Sequence, residues 1–405
     1  MTAVTASLAD IQIDPRVGYP IYDADQHYYE AEDAMTRHLD PAFHSAVRWA
    51  EVDGRKRILF ADKVFKRMPN VTYNPIPKPG ALENFFRGRN TEGLSAKELL
   101  GELEPIRPEY RDPAERIKVL DRHGVAATIL LPSLGLYLEE QFKHNPPELY
   151  AVLDAYNRWL EDDWKFDYQG RIFTGPLLSL IDPDRAVAEV VHASSVGARF
   201  VVLRPGPVTD GVHHWSLGDP RNDVVWKAIT DRGMFVAFHA ADSGYEADTA
   251  RWGEGEVFSG FTGSALPELL SIHLERPIQE SIAALIAHGA FERNPELRVA
   301  TVELGSKWAL DLYNRMKAAY GKTPQIFPRN PIEVFQEHVW VAPFYEDSIA
   351  SLRTVVPANR LMLGSDWPHP EGLPTPGDYL GDLDGLSPQE QQQVMGGNLK
   401  GLLRL

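Results

Sequence analysis

The chain has 405 residues, 43% of them hydrophobic, a formal net charge of −16 and no cysteine. So acidic a field repels nucleic acid and anionic membrane surfaces, and neither is expected as a partner. Without thiols there is no disulfide, no cysteine nucleophile and no Cys-ligated zinc or iron–sulfur centre. Any metal must be held by His and carboxylates, a donor set that suits iron, manganese or zinc.

Met1–Asp14 carries neither a basic segment nor a long apolar run, and no apolar stretch reaches membrane-spanning length, so a cytoplasmic protein is expected. Residues 1–19 read as a polar arm and 20–405 as one domain. The first strand is Ile21-Tyr22-Asp23-Ala24-Asp25-Gln26-His27, with a metal-capable side chain at every second position. Alternate residues of a strand share a face, so Asp23, Asp25 and His27 are expected to aim at one point. Pro20 and the poor helix propensity of Asp and His argue against a helix here. Residues 28–111 are broken by Pro69, Pro75, Pro77, Pro79, Pro105 and Pro108 and read as a long insertion, with a hairpin around Asp53-Gly54. Its basic cluster, Arg55, Lys56, Arg57, Lys63, Lys66 and Arg67, is either a solvated hairpin face or the receiver of an anionic group.

From Asp112 a regular alternation sets in. Helices are expected over 112–122, 147–164, 182–197, 219–232, 278–292, 306–320 and 346–356, and from Ser387 to the end. Between them lie apolar strands at 126–131, 171–178, 199–203, 235–239, 298–303, 338–341 and 361–365. A second insertion, 240–277, is rich in glycine and aromatics: Tyr245, Trp252, Phe258 and Phe261. Eight strands alternating with helices predict a closed α/β (β/α)8 TIM-type barrel with two long loop insertions. An open doubly wound sheet would be expected to show a glycine-rich phosphate fingerprint after the first strand, and there is none.

Active sites of such barrels lie at the C-terminal ends of the strands. Those ends carry Asp25 and His27, then Ser133, Glu139 and Glu140, then Arg204, His239, Glu303 and Asp366, with His369 close behind. Arg204 is a candidate clamp for a substrate carboxylate, because its fork accepts two oxygens. His213, His214 and Trp215 lie in the loop after the fourth strand, as substrate contacts or as a solvated loop. His369 is a candidate to orient Asp366 or to act as acid–base group, and His288 reads as a packed helix-end residue.

The motif Asp23-Ala24-Asp25-Gln26-His27, His239, the run Gly289-Ala290-Phe291-Glu292-Arg293-Asn294-Pro295-Glu296-Leu297 and Gly364-Ser365-Asp366-Trp367-Pro368 resemble the amidohydrolase superfamily. The branch is the one that includes amino-carboxymuconate-semialdehyde decarboxylase, and the resemblance covers residues 20–404. It implies a metal-dependent barrel, with ligands at Asp25, His27, His239 and Asp366, the last often also a proton carrier. It implies a divalent metal and typically no organic cofactor. Two departures stand out. The first strand reads Asp-x-His where many relatives have His-x-His, and Glu303 stands where many decarboxylating relatives have a catalytic histidine.

With Asp23, Asp25, Glu303 and Asp366 the site is carboxylate-rich, a composition that holds one or two ions. Asp366, Glu303 and His369 are the candidate catalytic groups. The expected function is a hydrolase or a decarboxylase-like lyase acting on a small or hydrophobic carboxylic substrate. The alternative is a non-heme diiron monooxygenase that hydroxylates a bulky, terpenoid-type acyl-CoA. A barrel that only binds ligands is the third reading, and the retained Asp25, His27, His239 and Asp366 argue against it. A small molecule is the expected partner, and a homo-oligomer is left open.

Overall fold

The structure is a computed structural model and describes residues 11–68, 70–253 and 265–405. Residues 1–10 of the expected arm, and Phe258 and Phe261 of the second insertion, lie outside the described residues. Strand β1 (Ile21–His27) runs parallel to β2 (Val125–Leu131), which pairs in parallel with β3 (Ile172–Thr174). A second parallel set joins β4 (Phe200–Leu203), β5 (Phe235–His239), β6 (Val299–Val302) and β7 (Val339–Val341) in that order.

Two seams close the ring. At the first, Leu178 N donates to Val202 O (3.0 Å) and Val202 N to Pro176 O (2.9 Å). At the second, the extended segment 361–366 bridges β7 and β1: Met362 N donates to Val341 O (2.9 Å) and Ala24 N to Leu363 O (2.9 Å). The fold is therefore the expected (β/α)8 barrel. Every residue of β2 is buried, as a parallel strand covered on both faces requires. Burying each large apolar side chain of this kind stabilises by about 1.5 to 3 kcal/mol.

Caps fix the helices that return each chain segment to the next strand. Asp112 accepts from Ala114 N and Glu115 N at the start of Pro113–Arg122, and Asp182 does the same for Pro183–Ser195. Both helices carry Pro at the first position, where no N–H is needed.

Four elements differ from expectation. β3 is shorter than 171–178, because Gly175 lets the chain press against β4: a Cβ there would meet Phe200 Cε2 at 2.7 Å. The eighth stave forms no continuous ladder, because β1 has a register shift between Asp23 and Gln26 where the two would pair. The helix expected over 346–356 is a single turn, Ile349–Leu352. The final helix divides into Pro388–Gln392, a π-turn at Gln393–Gly397 and Asn398–Leu403. A Cβ at Gly396 would meet Tyr22 Cδ2 at 2.9 Å, so the break is where the chain's end packs closely on β1.

The first insertion contains the expected hairpin, Val47–Val52 against Arg55–Phe60. Asp53 (φ 52°) and Gly54 (φ 68°) form its two-residue turn, both left-handed. Lys56 of the basic cluster pairs with Glu32 on the exposed surface, whereas Arg67 reaches inward.

Candidate metal centre

The register shift in β1 decides which aspartate faces the barrel mouth. Regular alternation would have put Asp23, Asp25 and His27 together. Instead Asp23 is clamped inside the wall. Its Oδ1 accepts from Ser365 N (3.1 Å) and Asp25 N (3.2 Å), and its Oδ2 from Ser365 Oγ (2.6 Å) and Gln26 Nε2 (2.9 Å). Burial pushes Asp23 up to about 7, against the lowering effect of the Ser365 and Gln26 hydrogen bonds. With its oxygens occupied, Asp23 stands outside the groups of atoms that converge, and its expected role as a ligand is replaced by a structural one. It ties β1 to segment 361–366, while Asp366 N donates to Asp25 O (2.8 Å).

Asp25, His27, His239 and Glu303 each present a ligand atom, all within 4.8 Å of one another; His27, Glu303, Asp366 and His369 form a second group by the same measure. His27 Nε2 lies 3.3 Å from Asp25 Oδ1, 3.4 Å from Glu303 Oε2 and 3.2 Å from Asp366 Oδ1. His239 Nε2 lies 2.9 Å from Glu303 Oε2 and 3.7 Å from Asp25 Oδ1. His239 Nδ1 bonds Ala240 O (2.9 Å), which turns Nε2 toward the cluster. Arg116, stacked on Trp367 at 4.5 Å, donates to His27 O (2.6 Å) and to Gln26 Oε1 (3.2 Å) and so fixes the end of β1.

The backbone is strained where the carboxylates leave the wall. Glu303 (φ 53°) and Asp366 (φ 56°) are left-handed without being glycine. Such positions cost on the order of 1 to 3 kcal/mol and persist where surrounding structure imposes them.

Asp25 Oδ1, His27 Nε2, His239 Nε2, Asp366 Oδ1 and His369 Nδ1 are buried and form no hydrogen bond. Their contacts are close but not aligned as hydrogen bonds. Buried polar atoms without partners are costly, and cation binding at the two overlapping groups, which share His27 and Glu303, would offset that cost. The residues present therefore fit a metal of the kind carboxylate and imidazole select.

The electrostatics agree with this fit. Burial alone would lower His239, but Glu303 and Asp25 beside it override that and raise it to about 10. His27 is raised in the same way, against burial, by Asp25 and Glu303. Burial would raise Glu303, yet His239 and His27 hold it well below the carboxylate range. Burial, then the charge of Glu303, lifts Asp366 well above that range. Burial and then His27 push His369 well below the usual imidazole value. Metal binding at these imidazoles would therefore be coupled to proton release.

Other expected site residues lie elsewhere. Arg204 is buried and donates from Nε to Glu139 Oε1 (2.8 Å) and from a terminal nitrogen to Pro207 O (3.3 Å), so its charge is already matched. Glu140 pairs with Lys143. The loop bearing His214 and Trp215 runs down the outside of the barrel along the helix Glu275–Ala287. Gly206 N donates to Ser281 Oγ (2.6 Å), and Ser216 Oγ meets His288 Nδ1 (2.6 Å) two turns further on. His214 is exposed, and Trp215 packs under Arg221 at 4.8 Å.

Sequence reasoning missed three residues near the cluster, Glu371, Tyr137 and Asp242. Burial, with Glu303 adding to it, pushes Glu371 up to about 7. Tyr137, raised beyond the usual phenol range chiefly by burial, feels Asp242, Arg67, Glu303 and Glu371 together. Arg67 meets Asp242 at 3.1 Å, so both insertions contribute to this wall. The signal was position: Tyr137 follows β2, Asp242 follows β5 and Glu371 follows Asp366.

The amidohydrolase family model matches residues 23–405. An amidohydrolase from Mycobacterium avium subsp. paratuberculosis is 37% identical over 95% of this chain and 99% of that one, with a TM-score of 0.88. The 5-carboxyvanillate decarboxylase of Novosphingobium aromaticivorans, solved with manganese and 4-hydroxy-3-methoxy-5-nitrobenzoic acid, is 15% identical, covers 98% of this chain and 99% of its own, and has a TM-score of 0.60. A 2,6-dihydroxybenzoate decarboxylase from Rhizobium, 17% identical, covers 82% and 97% with a TM-score of 0.54. The last two share the barrel. The matched length and the close likeness to the mycobacterial structure establish that this chain belongs to the amidohydrolase family and is a metal-dependent enzyme.

Proposed function

We propose that the protein is a lyase or hydrolase acting on a small carboxylate-bearing substrate at this centre, with decarboxylation as the favoured reaction. The observation that carries the reading is the convergence at the strand ends of unpartnered ligand atoms from Asp25, His27, His239 and Asp366, with the Glu303 carboxylate 2.9 Å from His239 Nε2. The shared barrel of decarboxylases that act on aromatic acids supports the choice of reaction. Asp25, His27, His239 and Glu303 would hold a divalent ion, and such an ion supplies polarisation of a substrate oxygen or a water of lowered pKa.

The chain's own residues do the rest. Asp366 lies 3.2 Å from His27 Nε2 at the edge of the cluster, and its carboxyl would be the group that carries a proton to a carbanionic carbon. Glu303, held ionised by His239 and His27, fixes the two imidazoles. The test is carbon dioxide release from a panel of hydroxybenzoates by manganese- or zinc-loaded protein. Turnover that is lost in Asp366→Asn supports the reading; no release from any loaded form sets decarboxylation aside.

A second reading, a dinuclear iron monooxygenase acting on a bulky acyl-CoA, is favoured by one observation. Two ligand groups overlap, sharing His27 and Glu303. Two irons per chain and oxygen uptake on adding a hydrophobic acyl-CoA would support it; a single ion per chain would remove it.

A further inference from the structure

Ser133 follows β2 and is buried at the edge of the centre. Its place is set by Glu30. Glu30 Oε1 accepts from the backbone N–H groups of Ser133 (3.0 Å), Leu134 (2.8 Å) and Gly135 (2.9 Å) and from Tyr156 Oη (2.9 Å). Gly135 is required by this cradle, since a Cβ there would meet Tyr156 Cζ at 2.7 Å. The loop is thus held by three N–H donors on one oxygen.

A hydroxyl has one proton to give. Ser133 Oγ lies 3.2 Å from Tyr28 O, a carbonyl that can only accept. The same Oγ lies 2.9 Å from His369 Nε2. With its proton committed to Tyr28, Ser133 accepts from His369, so the proton of the neutral imidazole sits on Nε2. The other ring nitrogen, Nδ1, is then a lone pair. It lies 2.7 Å from Asp366 Oδ1, and neither atom forms a hydrogen bond. The ring is stacked on His27 at 4.0 Å and cannot swing away freely.

We propose that Ser133 is a positioning residue that holds His369 in its Nε2–H tautomer, so that His369 Nδ1 joins Asp366 Oδ1 as a ligand for a divalent cation. The inference rests on the reading of the centre as a metal site. It makes His369 a lone-pair donor, not a proton donor to Asp366. Partners of this kind typically change metal affinity by about 10- to 100-fold when removed.

The experiment uses full-length protein labelled with 15N histidine, stripped with EDTA and then titrated with Zn2+. His369→Asn assigns the His369 signals by their loss. The expected result for the stripped wild type is a neutral His369 with Nε2 protonated. On zinc addition its Nδ1 resonance shifts. In Ser133→Ala the tautomer preference is lost and zinc binds about 10-fold or more weakly, and Ser133→Thr, which keeps a hydroxyl, restores both. A proton on Nδ1 in the stripped wild type overturns the proposal without any variant being needed. An Nδ1 resonance that stays still at saturating zinc overturns the ligand role. Failure of the wild type to bind zinc, manganese or iron overturns the metal reading itself and the ligand role with it; the tautomer is decided separately by the stripped spectrum.

Discussion

Two buried carboxylate clusters lie at the end of the first strand, and they are opposite in kind. Around Glu30 both oxygens are filled: three backbone N–H groups and Tyr156 on one, Tyr73 on the other at 3.0 Å. Around Asp25, Glu303 and Asp366 the facing atoms belong to imidazoles and other carboxylates, and several have no hydrogen bond. A carboxylate whose lone pairs the protein fills is scaffold. One whose lone pairs the protein leaves empty, at a cost, is placed for something that arrives later. Asp23 and Asp25 repeat the contrast two residues apart: Asp23 has four donors, while Asp25 Oδ1 has none.

The contrast can be broken at either cluster. The largest effect on stability is expected at Glu30. Glu30→Ala strands three N–H groups and two hydroxyls and is expected to cost at least about 3 kcal/mol in urea unfolding. A loss under about 1 kcal/mol would mean that the cradle is not scaffold. Asp23→Asn comes next, with about 1 to 3 kcal/mol lost because an amide must now face donors. Metal affinity is expected to fall about 10-fold or more through the displaced Asp25 and Ser365. Unchanged affinity would separate the clamp from the centre.

His239→Ala sharpens the comparison from the other side. It is expected to lose most bound metal while the stripped protein still unfolds cooperatively, because the barrel core is built elsewhere. Full metal content in this variant would remove His239 from the ligand set. The smallest effect is expected at His214, which is exposed on the loop outside the barrel. His214→Ala is expected to stay within about 0.5 kcal/mol of the wild type and to bind metal unchanged; a clear loss of affinity would return that loop to the site.

Much of the barrel was legible because its signals are local. β2 and β5 are apolar runs bounded by turn residues, and the caps Asp112 and Asp182 announce their helices. The cluster of Asp25, His27, His239, Glu303 and Asp366 was approachable because strand ends in a barrel share one face. Asp23 was misplaced because a register shift breaks the period of two, and nothing in the sequence marks it. The pairing of Arg204 with Glu139 was not legible, because Glu139 comes from another loop. Glu30 and Ser133 act through contacts more than a hundred residues apart, beyond the reach of any local pattern.

The measurement that tests the central claim most directly is calorimetric titration of EDTA-stripped protein with Mn2+ and Zn2+, in buffers of different ionisation enthalpy, beside Glu303→Gln. The account predicts saturable binding of at least one ion per chain, with protons released as imidazoles are displaced, and a severe loss of binding in the variant. No saturable binding by the wild type, or full affinity and stoichiometry in Glu303→Gln, would contradict it.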